Sequence, residues 1–399
     1  MFDPVKIYFN ILIKSFSFVT GEKKMSTWTF HKGLLRLLGN DWLVRKGEIS
    51  LLRIIWLVLY PIAYITSMIS ITTLTIKYVL QREHPTMLDY TRAMNGVVAC
   101  IAFVYAICKS LVLKLFGKNL WHLMDMVDDL GEVDEIAEPH RDSSVRHATL
   151  YLGLLCLIPA TWTVCSMFYM HNIPFPTDWP WGDYTPFRYF ISFTIDFIAA
   201  TYCAVTHSTY DTIFPISAGA ICGHIASISA KMEKLGRTGD KEKDKKILNE
   251  CYRLHVALLK ISDHINNTFG LVFLIQSIYT VLHACVIIYQ VMKVSDITLA
   301  VLNTAPILAS SYAQFLLFCY YGELLTDYFE RLRFGFYNNH WYKLDMELKK
   351  TLVIMTLAAN RTVRLEAYGI TFAGHKTYVS GLQDSISYYL ILKTVTTDT

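Results

Sequence analysis

The apolar residues of this chain gather into seven long stretches that alternate with charged segments. A helix that crosses the hydrocarbon core of a bilayer needs about 20 mostly apolar residues, and each stretch reaches that length. The pattern therefore predicts an all-α membrane protein with seven transmembrane helices. The predicted spans cover residues 51–80, 93–116, 148–170, 187–225, 268–292, 297–320 and 368–395.

The basic residues divide unevenly between the two ends of these spans. One side holds 28 Lys and Arg, and the other side holds five. Because Lys and Arg concentrate in cytoplasmic loops, the richer side is predicted to be cytoplasmic. This orientation is the reverse of that in a G-protein-coupled receptor. It predicts a cytoplasmic N-terminal segment over 1–50, a seven-helix domain over 51–395 and an extracellular tail over 396–399.

Several predicted helices remain amphipathic beyond the bilayer. The stretches "ICGHIASISAKMEKLG" and "NECYRLHVALLKISDHINNTFG" keep apolar residues at helical spacing within charged sequence. We therefore expect long helices that extend into a packed cytoplasmic anchor layer. A further cytoplasmic helix is predicted over 341–365, either on the membrane surface or, as we favour, buried against other helices. Its apolar face consists of Leu344, Leu348, Leu352, Met355 and Ala359.

Composition supports a membrane protein and excludes some partners. Of the 399 residues, 53% are hydrophobic and only 18% are charged, against about 25% charged in soluble domains. We therefore expect membrane lipid to surround the chain. The net charge of +4 is too small to indicate nucleic acid. All nine cysteines fall in predicted spans or on the cytoplasmic side, so a disulfide framework is not indicated.

The sequence offers little support for catalysis. The acidic segment "DMVDDLGEVDE" at 125–135 resembles patches that hold Mg²⁺ and diphosphate, but such sites need two patches and we find one. A solvated acidic helix face is the favoured interpretation, with a membrane transferase as the alternative. Metalloprotease, nucleophile-elbow and phosphate-loop motifs are missing from the sequence. We expect no enzyme, no metal site and no cofactor.

Candidate ligand residues lie in the outer halves of spans two, three, four and six. Apolar walls with a few polar groups suit a small apolar ligand, although ordinary helix packing produces the same pattern. Asp196 lies inside span four, where an ionisable group marks either a functional cavity or a hydrogen-bonded structural site. The candidate residues are Val97, Val98, Ile101, Ile158, Trp162, Ser166, Phe193, Asp196, Phe197, Ala200, Asn303 and Ile307.

The last span, 368–395, carries small polar residues along one helical face. Such a face cannot meet lipid and must contact protein or water. Copies of this helix around an axis would enclose a polar channel with an apolar constriction, whereas burial against sibling helices is the alternative. The candidate pore residues are Ser380, Asp384, Ser387, Tyr388, Ile391, Thr394 and Val395.

Motifs in the last third of the chain resemble those of the insect odorant receptors. A Cys-x-x-Gly element with a trailing acidic residue ends span six, a Tyr-x-x-x-Trp element follows, and a Ser-x-Ser-Tyr-Tyr run lies near the end of the chain. The residues of these motifs are Cys319, Gly322 and Glu323, then Tyr337 and Trp341, then Ser385, Ser387, Tyr388 and Tyr389.

The resemblance implies a ligand-gated, non-selective cation channel in the plasma membrane of olfactory sensory neurons. A subunit that binds a small volatile odorant would assemble with a shared co-receptor into a heterotetramer whose last helices line the pore. By resemblance, Ile391 would be the outer gate, and Thr394 or Val395 a second pore position.

Two features indicate which type of receptor subunit the chain resembles. The link "KLGRTGDKEKDKK" between spans four and five is short, whereas the co-receptor carries a long insertion there, so the chain resembles an odorant-tuning subunit. A gustatory-type receptor is the alternative, but "SYYLILKT" lacks the Gln-Phe pair on which that family closes.

Overall fold

The computed structural model describes residues 28, 31–33, 35, 51–80, 87–131, 133–165, 179, 185–237, 239–293 and 297–397. Within these ranges the chain is almost entirely helical. Seven long helices correspond one for one to the predicted spans, and a short helix precedes the last of them. The helices are α1 (Leu51–Leu80), α2 (Met87–Asp128), α3 (Glu138–Cys165), α4 (Pro186–Glu233), α5 (Lys241–Lys293), α6 (Ile297–Tyr337), α7 (Met346–Ala358) and α8 (His375–Thr397).

Local sequence explains where the long helices begin and end. Thr185 caps α4, because its hydroxyl accepts from the Arg188 amide at 3.4 Å and Pro186 occupies the first turn. Asp240 caps α5 by accepting from the amides of Glu242 and Lys243. Between them, Gly236 and Gly239 have φ values of 73° and 69°, a backbone conformation that glycine adopts without steric cost.

The length and apolar content needed to cross a bilayer are found in three helical segments of the described chain: Met94–Asp128, Phe187–Glu233 and Lys241–Met292. These segments belong to α2, α4 and α5, and each continues well beyond its predicted span. The continuation agrees with the prediction that helices extend past the bilayer. We call the bundle end where α2 begins and α5 ends the predicted outer end.

The largest core lies where α4, α5 and α6 pack together. Phe214 of α4 stacks on Phe318 of α6 with ring centroids 5.0 Å apart, and Phe269 of α5 lies 5.4 Å from Phe214. All three rings are fully buried. The core continues into the predicted anchor layer through Met232, Leu258 and Leu332. A continuous core of this kind makes the bundle and the anchor layer one packed body.

The amphipathic face of α7 is buried against this core. Leu344, Leu348, Leu352, Met355 and Ala359 are each less than 9% exposed and belong to the main cluster. The prediction of buried packing for this face is confirmed.

The predicted helix over 341–365 was too long. Residues Trp341–Lys343 form a single 3₁₀ turn, and α7 ends at Ala358. The chain then continues as a small antiparallel hairpin of β1 (Glu366–Ala367) and β2 (Thr371–Phe372). Tyr368 and Gly369 have φ values of 52° and 73° in its turn, and a helix cannot pass through that conformation.

The hairpin also shortens the last predicted span. That span was expected from residue 368, but α8 begins at His375. The hairpin docks on α5, where the Asn266 side chain accepts from the Glu366 amide at 2.9 Å. A Cβ atom on Gly270 would lie 2.8 Å from the Glu366 carbonyl oxygen. The hairpin backbone therefore rests directly on the α5 backbone.

Candidate functional site

Two of the predicted ligand residues lie together near the predicted outer end. Val98 of α2 and Ile307 of α6 are 2% and 8% exposed and share a small apolar cluster with Ile287 of α5. The sequence placed α2 and α6 at this site but did not include α5. Val97 and Ile101, on the flanks of Val98, are half-buried.

The aromatic candidates of α4 form a short ladder along that helix. Phe193 and Phe197 stack with centroids 6.1 Å apart, and Tyr189 stacks on Phe193 at 6.3 Å. Phe197 is 38% exposed, and Ala200, one turn further along, is half-buried. These rings give α4 an apolar surface toward the predicted outer end.

Asp196 serves to hold α1 against α4. Its carboxylate is 2% exposed and accepts from the Ser67 hydroxyl of α1 at 2.6 Å. Its neighbour Ala199 packs with Tyr64 and Phe103 in a cluster between α1, α2 and α4. The arrangement matches the structural interpretation of this intramembrane carboxylate.

The structure does not describe the side chains of the remaining ligand candidates. Ser166 and the side chains of Ile158, Trp162 and Asn303 lie outside the described residues. The α3 wall of the predicted pocket therefore stays a prediction.

A buried ion pair lies deeper in the bundle. Lys109 of α2 donates to Asp211 of α4 at 2.5 Å, and the two side chains are 1% and 0% exposed. Tyr151 of α3 donates to the second carboxylate oxygen at 2.8 Å, and Gln314 of α6 donates to the same oxygen at 2.6 Å. A charge in a low-dielectric interior needs both a counter-ion and hydrogen bonds, and Asp211 has both.

The hydrogen bonds continue from this carboxylate toward the predicted outer end. Gln314 also donates to the Tyr105 hydroxyl at 2.9 Å, and Tyr105 donates to Gln276 of α5. The Tyr105 ring stacks on Tyr279 with centroids 3.9 Å apart. One polar network therefore joins α2, α3, α4, α5 and α6; it comprises Tyr105, Lys109, Tyr151, Asp211, Gln276 and Gln314.

The network lies below the apolar cluster on the same helices. On α2, Lys109 follows Val98 by roughly 16 Å of helix. On α6, Ser311 lies one turn after Ile307 and is within 3.2 Å of His283 of α5. All three helices that supply the cluster thus also supply the network.

This network was not predicted from the sequence. Lys109 and Asp211 both fall inside predicted spans, 93–116 and 187–225, so each carried the same intramembrane signal that singled out Asp196. A search for opposite charges at similar depth in two spans would have found the pair.

The last helix, α8, exposes the predicted pore residues in the single chain. Ser380, Asp384, Ser387 and Thr394 are exposed, and Tyr388 and Ile391 are 51% and 56% exposed. The Val395 side chain lies outside the described residues. The opposite face is packed, since Gly381 and Ser385 are buried. The helix therefore has one face against the bundle and one face open.

Two aromatic side chains of α6 hold the packed face of α8. The ring of Phe315 lies 5.7 Å from that of Tyr378, centroid to centroid. A Cβ atom on Gly381 would approach the Phe315 ring to 2.8 Å. The Tyr312 ring lies edge-on to the Tyr378 ring, with centroids 6.4 Å apart. Tyr312 and Phe315 flank Gln314 in sequence, so one turn of α6 touches both the network and α8.

The acidic segment 125–135 forms ordinary surface and capping contacts. Lys32 lies 3.1 Å from Asp125 and 3.7 Å from Asp128. Asp134 accepts from Ser227 and from the Ala137 amide at the start of α3. Burial alone would raise the pKa of Asp134, but these hydrogen bonds outweigh it and hold that pKa below its usual value. Within the described residues, no three metal-ligating side chains are grouped.

A sequence model described as 7tm Odorant receptor matches residues 89–380, well over half of the chain. The chain belongs to the odorant receptor family. Membership places it among receptors rather than enzymes.

Individual odorant receptors show the same similarity. Odorant receptor 85b of Drosophila melanogaster is 29% identical over 229 residues, which cover 57% of this chain and 57% of that protein. Odorant receptor 33a of the same organism is 22% identical over 206 residues, covering 51% and 54%. The chain thus matches little more than half the length of these odorant receptors.

The fold agrees with solved odorant receptor structures. The insect olfactory receptor OR5 from Machilis hrabei aligns over 93% of this chain and 100% of its own, with a TM-score of 0.69 and 12% identity. The same receptor in complex with eugenol aligns with a TM-score of 0.71 and 13% identity. At this identity the likeness establishes the fold.

The structure gives the odorant receptor motif at the end of span six a physical role. A Cβ atom on Gly322 would lie 2.4 Å from that of Ala373, so only glycine permits this approach. Glu323 accepts from the His375 amide at 3.3 Å, at the N-terminus of α8, where a negative charge is favourable. The motif anchors the start of α8 to α6.

Proposed function

We propose that this chain is the odorant-binding subunit of a ligand-gated, non-selective cation channel whose pore is lined by α8. The observation that carries the proposal is the two-faced character of this helix. Ser380, Asp384 and Ser387 are exposed, while Gly381 and Ser385 on the other face are buried against the bundle. Exposed polar side chains at membrane depth must meet protein or water, and a shared aqueous pore supplies the water.

The gate of this pore is assigned to Ile391. Its side chain is 56% exposed on the open part of α8, one turn beyond Ser387. A ring of such aliphatic side chains closes a pore by dewetting it. Thr394 and Val395 follow toward the predicted outer mouth.

The ligand is a small volatile odorant bound in the outer half of the bundle. The α2 and α6 walls meet there at Val98 and Ile307, and the aromatic ladder of α4 adds Phe193 and Phe197. Pockets of this composition bury small apolar molecules. The eugenol complex of the structural relative supports a ligand of this size and polarity.

Assembly with a co-receptor into a heterotetramer would cover apolar surface that the single chain exposes. Val353, Ile354 and Leu357 of α7 are 58%, 61% and 65% exposed, on the face opposite the buried one. Tyr368 and Ile370 of the hairpin turn are 69% and 71% exposed. Contiguous apolar surface of this kind supports a subunit contact in the anchor layer.

The chain would reside in the plasma membrane of olfactory sensory neurons with its N-terminus in the cytoplasm. The uneven division of Lys and Arg supports this direction. With seven spans, α8 then runs outward, so Asp384 lies nearer the cytoplasm than Ile391.

Current recording tests the proposal. Cells expressing the chain with an insect co-receptor are challenged with an odorant panel that includes eugenol and related phenols, and cells expressing the co-receptor alone are the control. The proposal expects an inward cation current only where both chains are present. A chain that reaches the surface and gives no odorant-dependent current across the panel would contradict it.

A further inference from the structure

The buried network raises the question of why a membrane bundle retains an ion pair. Charged side chains at membrane depth are costly, and apolar residues of equal volume often serve packing as well or better. Lys109 and Asp211 are nonetheless at most 1% exposed and fully paired. A buried polar group of this kind is best explained when it fixes one arrangement of the helices around it.

The helix that the network fixes most directly is α6. Gln314 donates both amide hydrogens within the network, one to Asp211 at 2.6 Å and one to the Tyr105 hydroxyl at 2.9 Å. Because these partners stand on α4 and α2, the two bonds together set both the rotation and the depth of α6 at this turn.

The same turn of α6 is in close contact with α8. Phe315 packs against Gly381 with no room for a Cβ atom, and the Tyr312 ring lies edge-on to Tyr378 with centroids 6.4 Å apart. Close-packed contacts transmit a displacement instead of absorbing it. A rotation of α6 about Gln314 would therefore displace α8.

The predicted ligand residues Val98 and Ile307 lie on the predicted outer side of the network. Ile307 precedes Gln314 by two turns on α6 and shares the apolar cluster of Ile287 with Val98 of α2, the helix that also carries Tyr105 and Lys109. A molecule that separates Val98 from Ile307 would strain the Gln314–Tyr105 bond directly. The network thus lies between the predicted pocket and the pore helix on the same two helices.

We propose that Asp211 and Gln314 are positioning residues for gating: the Asp211 carboxylate holds Gln314, and through it α6 and α8, in the closed arrangement. The inference rests on the proposed function for its physiological meaning. In physical terms, α8 can occupy two positions, and both the pocket and the network shift the equilibrium between them.

The test measures the position of α8 without relying on current. Ile391→Cys places a thiol on the exposed part of α8, and its labelling rate by a charged, membrane-impermeant methanethiosulfonate reports access to that position. The full chain is expressed with the co-receptor, and the chain without the added cysteine gives the background. Surface biotinylation measures folding and delivery separately.

Gln314→Met is the decisive variant in this background. It removes both amide bonds at nearly constant volume and leaves Asp211 paired with Lys109 and Tyr151. Release of α6 should accelerate labelling of the introduced thiol at least about fivefold, the low end of ordinary coupling between sites. The surface level should remain within twofold of the parent, as an approximate bound. Tyr202→Phe, which removes a hydrogen bond from α4 to Ser110 of α2 outside the network, is the matched control and should label at the parent rate.

Other outcomes overturn the inference. An unchanged labelling rate in a Gln314→Met chain at normal surface level would show that the network does not position α8. Equal acceleration in Tyr202→Phe would show general loosening of the bundle. If Gln314→Met does not reach the surface, Gln314→Asn is measured with the same expectation, and loss of both variants would make these bonds a requirement for folding alone. Since labelling needs no current, failure of the channel proposal remains a separate result.

Discussion

Phe315 and Gly381 are in contact so close that a Cβ atom on Gly381 would lie 2.8 Å from the Phe315 ring. Phe315 is 1% exposed and packs on its other side against Phe273 of α5. The ring therefore lies packed between α5 and α8. This contact joins α6 to the pore helix and makes the position of α8 sensitive to any change in α6.

Gly381→Val should separate α8 from α6. The added atoms must displace either the Phe315 ring or the helix, and such overpacking costs about 1–3 kcal/mol. We expect a lower melting temperature in detergent and a raised odorant-independent current. Gly153→Val is the control, because Gly153 on α3 has no atom within 4 Å of its Cβ position. An equal effect of both substitutions would remove the special role of the contact.

Lys109→Met should destabilise the chain more than the double variant Lys109→Met, Asp211→Asn. The single change leaves an uncompensated buried carboxylate, which costs about 3–5 kcal/mol. The double change removes both charges and retains the amide as a partner for Tyr151 and Gln314. Surface level and detergent melting measured as a double-mutant cycle check this expectation. Additive losses would show that the two side chains do not act as a pair.

Asp384→Asn should alter divalent cation permeation or block through the assembled channel. Asp384 is exposed on α8, and the described part of its own chain provides only a long contact with Ser380 at 3.5 Å. A carboxylate ring at a pore attracts cations, and the neutral amide does not. The current–voltage curve with and without external Ca²⁺ is the measurement, with Ser387→Ala as the neutral comparison. An unchanged curve would assign Asp384 to helix packing.

His255 should make the anchor layer less stable in acid. The ring is 1% exposed and packs edge-on against Phe336 at 5.2 Å, and burial lowers its pKa to about 4. Burial disfavours protonation of His255 in the folded chain. The contribution of the neutral ring to stability is therefore complete above the unfolded pKa of about 6.5, and it declines as pH falls from there toward 4. The slope is at most about 1.4 kcal/mol per pH unit.

The melting temperature of purified protein at several pH values measures this decline. His255→Phe should flatten the curve between neutral pH and the acid range, whereas His122→Phe, at an exposed position, should leave the slope unchanged. Parallel curves for the parent and His255→Phe would exclude His255 as the cause.

Periodicity alone carried the prediction of the helices and of the buried face of α7. Leu348, Leu352 and Met355 recur on one side of a helix, and a local pattern needs no tertiary information to be read. The β-hairpin was not predicted because its two strands have two residues each, too few for an alternation of apolar and polar residues to be visible. Its turn depends on Tyr368, a residue that seldom adopts positive φ.

The candidate site was predictable only in part. Val98 and Ile307 were expected near one another because both lie at the same depth of an outer half-span. The partners of Asp211 stand on three other helices, the nearest in sequence 60 residues away. Such pairing depends on helix rotation, which composition does not determine. The role of Gly322 is likewise set by Ala373, which follows α7 and the hairpin in the chain.

Block of odorant-evoked current through Ile391→Cys tests the central claim most directly. The chain carrying this substitution is expressed with the co-receptor, activated by an odorant that opens the parent channel, and exposed to the charged thiol reagent. If α8 lines the pore, labelling should reduce the evoked current, and Ser387→Cys, at an exposed position one turn before Ile391 on the same face of α8, provides a second point along the helix. Undiminished current after complete labelling of Cys at position 391 would contradict a pore lined by α8.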